Sequence, residues 1–382
     1  MQFSEIAAGL PHILSDVYGE PSTVVDIERP PPVPHDDQPW LAVKYGPMDD
    51  ADVHGVTPLT VSTPQRVVDL VVKVNPVHGI GETVIPWICD TYDVELPAPY
   101  ATFHSTREVV GTGARESNVY DLSVTMPELM TLLPPYLGTI TAHGERAVLL
   151  GDVSPLRGMD AGGSVDHWSG EHIDAALRAI GAVHAASAAV AAELAWLPPR
   201  TDTDTFTSDD GLWRAMLTDA SHRFPDIVTP EVVARREATI ATAGAWHPAK
   251  DAMPTVLTHN DFNQRNVGFD ADDRVLALDW EIARRDSPQR DVAEMLTFLL
   301  DPAVDYDTLH HHAAQHRAAL SANGLTLEED AYLAGLAADL RCAAVDRVGM
   351  QLLLAAAFDL PYIPRINKTI DRLVRLSEPW LG

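Results

Sequence analysis

At 382 residues the chain is long enough for two domains or one large two-lobed one. Its 46% apolar and 21% charged content exclude a disordered polypeptide. A formal charge of −28 and a pI near 4.7 argue against nucleic acid and anionic membrane as partners, since both attract clusters of Lys and Arg. The two cysteines, Cys89 and Cys342, sit in apolar runs and read as small hydrophobes of a reducing compartment, so a cytoplasmic protein is expected.

In chain order, Phe3, Ile6, Leu10, Ile13, Leu14 and Val17 have helical spacing and predict an amphipathic helix over residues 1–19. Glu5 and Asp16, with no basic start, distinguish it from a signal peptide. A short strand over 22–27 leads into Pro30–Pro34 and Pro39, five prolines in ten residues, which force an extended connection. That connection reads as a surface loop, with a lid over the site as the alternative. Strands are expected at 40–45, 57–62 and 66–74, the last carrying Lys73 near its end.

Ile80, Val84, Trp87 and Ile88 share one face of a helix predicted over 79–92, with Glu82 in its first turn. Residues 100–145 carry no readable function, and Gly111-Thr-Gly113 is a plain turn that lacks the third glycine of a dinucleotide loop. A buried strand over 147–153 ends the β-rich part of the chain. Beyond it the composition turns to Ala/Leu-rich helices at 169–197, 209–224, 230–243, 289–300, 306–323 and, with breaks, 327–360. Strands followed by helices predict an α+β, two-lobed plan, with an N-lobe over residues 1–150 and a C-lobe over 151–382. The most apolar long segment, 175–197, is interrupted by Arg178, His184 and Glu193, which disfavours a membrane span.

The densest chemistry lies between Val256 and Trp280. Two apolar runs flank the turn formers Asp270–Asp273 and predict a hairpin that brings Asn266 roughly opposite Asp279. Asp261 lies five residues before Asn266, in the loop that precedes the hairpin. Two hard oxygen ligands beside a further carboxylate suit Mg²⁺ and a base.

The order His259-x-Asp261-x-x-x-x-Asn266, then a strand ending in Asp279, matches the catalytic loop and metal-binding aspartate of kinases. The wording His-Asn-Asp-Phe-Asn-Gln-Arg-Asn, with Leu-Asp279-Trp-Glu further on, resembles the aminoglycoside phosphotransferase and choline-kinase-like family. The resemblance implies a bilobal protein-kinase-like fold, with an antiparallel N-lobe sheet and a mostly helical C-lobe. It implies Asp261 as base, Asn266 and Asp279 as Mg²⁺ ligands, and Lys73 on the nucleotide phosphates with Glu82 orienting it, Asp90 being the second candidate. It also implies a hinge from Leu150 to Val153 that holds the base of ATP or GTP. His259 and Asp291 are implied as braces of the loop; Ser287 followed by Pro288 offers a helix cap instead.

Only eleven residues separate Asp279 from Asp291 with no Ala-Pro-Glu, so a protein substrate is disfavoured and a small hydroxylated acceptor expected, an antibiotic or a sugar-like metabolite. The acidic chain suits a cationic acceptor such as an aminoglycoside. The alternatives are a kinase of a primary metabolite (sugar, choline or amino alcohol) and an inactive kinase-like binder. One cluster stands apart: His310-His311-His312 with His316 contains an i, i+4 pair able to bind Zn²⁺. It has no Cys or Glu at matching spacing and reads as an exposed helix.

Overall fold

The computed structural model describes residues 1–29, 55–75, 89–90, 93, 95, 111–153, 155–160, 163–355 and 360–382. The first helix, α1 (Phe3–Tyr18), is followed by β1 (Asp26–Glu28), β2 (Gly55–Ser62) and β3 (Val67–Asn75). Helix α2 (Arg115–Ser123) precedes β4 (Tyr136–Ala142) and β5 (Glu145–Gly151). These strands form one antiparallel sheet in the order β1-β2-β3-β5-β4. The Pro30–Pro34 connection, the expected strand at 40–45 and most of the expected helix at 79–92, Glu82 included, lie outside the described residues.

Period-two alternation decides which side of this sheet faces what. Val72 and Val74 of β3, with Ala147 and Leu149 of β5, pack against Ile6, Leu10 and Leu14 of α1 in one apolar cluster. Val148 and Leu150 point the other way, into a larger cluster shared with the helical half. Lys73, between Val72 and Val74, is thereby turned away from α1 and toward that half.

The helical half holds α3 (Gly170–Ala189), α4 (Asp210–Arg223), α5 (Pro230–Ala241), α6 (Gln289–Leu299), α7 (Tyr306–Ala322), α8 (Glu329–Cys342) and α9 (Ile363–Leu376). The expected helices are present apart from their ends; α9 was not anticipated. Helix α8 runs into a π-helical turn, Ala343–Arg347. Among the described residues no helix is long and apolar enough to cross a membrane.

Four three-residue strands carry the central polar stretch. β6 (Val256–Thr258) pairs with β9 (Arg284–Asp286), and β7 (Val267–Phe269) pairs with β8 (Val275–Ala277), all antiparallel. The hairpin therefore forms where the turn formers predict it, and Asp270 closes it by accepting from the backbone of Asp272 and Arg274. Gly268 belongs to a close approach: a Cβ there would lie 2.9 Å from Leu156 Cβ and 3.1 Å from the Arg157 carbonyl oxygen. Arg157 and Phe269 exchange backbone hydrogen bonds at 2.8 Å, tying the hairpin to the chain that follows β5.

Candidate active site

The loop between β6 and β7 is held from beneath by one buried carboxylate. Asp291, in the first turn of α6, accepts from the backbone N–H of His259 through Oδ2 and of Asn260 through Oδ1, both at 2.8 Å. His184 of α3 reaches the same carboxylate at 3.1 Å. Burial alone would push the Asp291 carboxyl up, but the His184 contact and charge outweigh it and hold the group below the ordinary range. Asp291 thus braces the loop, and the capping alternative is not realised: the Ser287 hydroxyl donates to Asp339 at 2.5 Å and makes no cap of α6.

With His259 and Asn260 pinned, the backbone turns sharply; Asn260 has φ of +66°, a left-handed conformation that asparagine tolerates better than most residues. Its side chain donates to the Ile282 carbonyl at 3.2 Å and accepts from Arg290 at 2.8 Å. The His259 ring donates through Nε2 to the Leu278 carbonyl at 2.8 Å, which leaves Nδ1 to accept from the Asp261 N–H at 3.3 Å. His259 therefore ties the loop to the end of β8, next to Asp279.

Asp261 emerges from this frame with its carboxylate fully engaged. Arg265 donates at 3.0 and 3.2 Å, Arg347 at 2.6 Å, Asn263 at 2.9 Å and Asn266 at 2.7 Å. Burial would raise its pKa; the Arg265 and Arg347 guanidiniums reverse that and hold the carboxyl well below the usual carboxylate range. Arg347, at the end of the π-helical turn, also donates to the Asn260 carbonyl at 2.9 Å and reaches Glu294.

The Asn266 amide nitrogen also donates to the Asp261 carbonyl at 3.0 Å, so its oxygen is turned the other way. Across the hairpin, Leu278 N–H donates to the Asn266 carbonyl at 2.8 Å, which makes Asp279 the next residue along, as the spacing predicts. Asp279 has φ of +65° and is followed by a short 3-10 turn, Trp280–Ile282. The two oxygen donors this arrangement offers, one amide and one carboxylate, form a hard set of the kind Mg²⁺ takes.

Lys73 joins the sheet to the hairpin. Its ammonium lies 2.6 Å from Asp279 Oδ1 and 2.7 Å from Glu116 Oε2. Burial would lower its pKa, but Asp279 and Glu116 outweigh this and raise it well above the ordinary value. Glu116, in the first turn of α2, also accepts from Asn75 at 2.7 Å; its other oxygen is buried and has no hydrogen-bond partner among the described residues. Among the described residues the carboxylate found on Lys73 besides Asp279 is Glu116, forty-three residues after the lysine in sequence, in the segment from which no function was read. The weak signal was a polar helix start, Arg115-Glu116-Ser117, immediately after the Gly-Thr-Gly turn; all three residues are buried. At the expected hinge, Leu150 is still within the sheet, opposite Val71 and Tyr136, and its side chain joins the large core. Val153 has left the ladder and is half-buried.

A sheet-borne lysine paired to two carboxylates thus lies next to a loop and hairpin bearing Asp261, Asn266 and Asp279. The family model described as "Phosphotransferase enzyme family" matches residues 138–335, just over half of the chain, and the chain belongs to that family. No curated protein matches the sequence. Among solved structures, an aminoglycoside phosphotransferase from Alicyclobacillus acidocaldarius aligns over 93% of this chain and 96% of its own, at 14% identity and a TM-score of 0.51. A macrolide 2'-phosphotransferase from Brachybacterium faecium aligns over 92% and 97% at 14% identity, TM-score 0.46. A choline kinase from Streptococcus pneumoniae aligns over 98% of both chains at 8% identity, TM-score 0.43. At such identities the first of these shows the fold alone, a bilobal α+β protein-kinase-like one.

Proposed function

We propose that this protein transfers the terminal phosphoryl group of ATP or GTP to a hydroxyl of a small molecule in the cytoplasm, with Asp261 as the base. The observation that carries the reading is the meeting of Lys73, Glu116 and Asp279 at one point, with Asp261 and Asn266 on the same loop and hairpin. In this reading residues 1–150 form the nucleotide lobe and 151–382 the acceptor lobe. Lys73 contacts the nucleotide phosphates with Glu116 fixing its direction, and Leu150 and Val153 border the base of the nucleotide. Asn266 and Asp279 would hold Mg²⁺, which when bound offsets phosphate charge. Asp261, kept ionised by its arginines, orients the acceptor hydroxyl and takes its proton as the phosphoryl group leaves the nucleotide.

The acceptor in this reading is a small hydroxylated compound, an antibiotic or a sugar-like metabolite. The Arg265 and Arg347 guanidiniums beside Asp261 are matched by Asp261 and Glu294 themselves, so they add no surplus positive charge, and the acidity of the chain as a whole suits a cationic acceptor such as an aminoglycoside.

The test is nucleotide turnover with Mg²⁺ against a panel of sugars, hydroxy acids, amino alcohols and antibiotics. Asp261→Ala should lower kcat by about 10²–10⁴-fold while nucleotide still binds, and Asp279→Ala should lose Mg²⁺-dependent nucleotide binding. Ordinary turnover in either variant, or no nucleotide binding by the wild type, would overturn the reading.

A further inference from the structure

The histidine cluster on α7 finds in the tertiary structure the ligand it lacks in sequence. His312 is 3% exposed and His316 is fully buried, which corrects the expectation of an exposed helix. The i, i+4 pair is not a unit either. His316 turns inward between His184, at 3.0 Å, and the Tyr332 hydroxyl, at 2.9 Å, in a buried chain that ends on Asp291. Burial pushes the His316 pKa well below its ordinary value, so this ring is a neutral relay in the brace.

His311 and His312 turn toward α3 instead, and both meet Asp174. His311 Nε2 lies 2.9 Å from Asp174 Oδ2, and His312 Nδ1 lies 2.7 Å from Asp174 Oδ1. The three ligand atoms lie within 4.8 Å of one another, and among the described residues this is the group of His, Cys, Asp and Glu side chains with metal-site spacing. Nothing in the phosphotransfer chemistry uses these residues.

We propose that Asp174, His311 and His312 form a transition-metal site, with Zn²⁺ the matching ion, that fastens α3 to α7. Two imidazole nitrogens and one carboxylate oxygen are a borderline donor set, suited to Zn²⁺ and poorly suited to the Mg²⁺ of the phosphotransfer centre. Ligand atoms on Zn²⁺ at about 2.0–2.2 Å stand roughly 3.3 Å apart in a tetrahedron, a spacing that three atoms within 4.8 Å of one another reach by small side-chain rotations. His311 is half-exposed, 55% by side chain, so the fourth position opens to water. The same two helices carry His184 and His316, so the ion would stiffen the helix pair from which the catalytic loop is braced.

The experiment is calorimetric titration of the full-length, chelator-treated protein with ZnCl₂ in excess Mg²⁺, together with its melting temperature with and without Zn²⁺. Wild type should bind one equivalent and melt higher with Zn²⁺. His311→Ala and Asp174→Asn, which change an exposed ring and an isosteric carboxylate, should each weaken binding by more than about tenfold and abolish the Zn²⁺-dependent rise. Asp279→Asn should leave both intact. No saturable Zn²⁺ binding by the wild type, equal binding by both variants, or loss of binding only in Asp279→Asn would each overturn the site. None of these outcomes depends on which acceptor is phosphorylated.

Discussion

Asp291→Ala isolates how much of the activity is owed to a residue that touches no substrate. The carboxylate accepts two backbone N–H groups at 2.8 Å and meets His184 at 3.1 Å, with no exposure to solvent. Each buried donor left without a partner costs about 1–3 kcal/mol. The three share one carboxylate and are not independent, so a total of about 3–5 kcal/mol is expected, the range for removing one partner of a buried charged pair. Denaturant unfolding measures it. The loss should also displace Asp261, and a misplacement on the order of 1 Å lowers kcat by about a hundredfold. Nucleotide affinity should hold, because Lys73, Glu116 and Asp279, the residues proposed to serve the nucleotide, lie on other elements.

The pH dependence gives a second readout of the same residue. A carboxyl whose folded pKa is depressed contributes stability above its unfolded pKa near 4 and loses it as pH falls through the folded value. The unfolded state binds the proton first, so wild-type stability should fall with acidification below about pH 4, and Asp291→Asn should flatten that fall. A variant less than about 1 kcal/mol weaker than wild type, with full kcat, would refute the brace.

Two further perturbations probe the charges around the site. Glu116→Gln removes one of the two carboxylates on Lys73 and should raise the nucleotide KM by about tenfold with a smaller change in kcat; fluorescence titration with nucleotide checks it, and unchanged affinity would remove Glu116 from the site. Arg347→Met removes a guanidinium that holds Asp261 ionised, so the acid limb of the kcat/KM profile should move to higher pH; a profile superimposable on wild type would leave Asp261 to Arg265 alone.

The sequence was most informative where function depends on short spacing. Asp261, Asn266 and Asp279 fall within nineteen residues that include their own turn formers, so local geometry alone nearly assembles them. Lys73 was singled out by its place near the end of a strand and by the resemblance; in the structure, strand alternation turns it away from α1 and onto Asp279. The predicted helices survive because their apolar periodicity is long.

What sequence could not decide are the contacts between segments far apart. Glu116 reaches Lys73, Arg347 reaches Asp261, and Asp174 meets His311 and His312 only because the fold packs α2, the π-helical turn and α3 where it does. Each of these polar side chains sits in a segment whose periodicity describes its own apolar face and carries no record of what lies across from the polar one. Net charge carries no record of position either: it is a sum over the whole surface, whereas two guanidiniums lie within about 3 Å of Asp261. Residue spacing was enough to bring Asp261, Asn266 and Asp279 onto one loop and hairpin. The lysine's partner, the polarity around the base and the histidine cluster's third ligand were decided by tertiary packing, because charge interactions act across space and not along the chain.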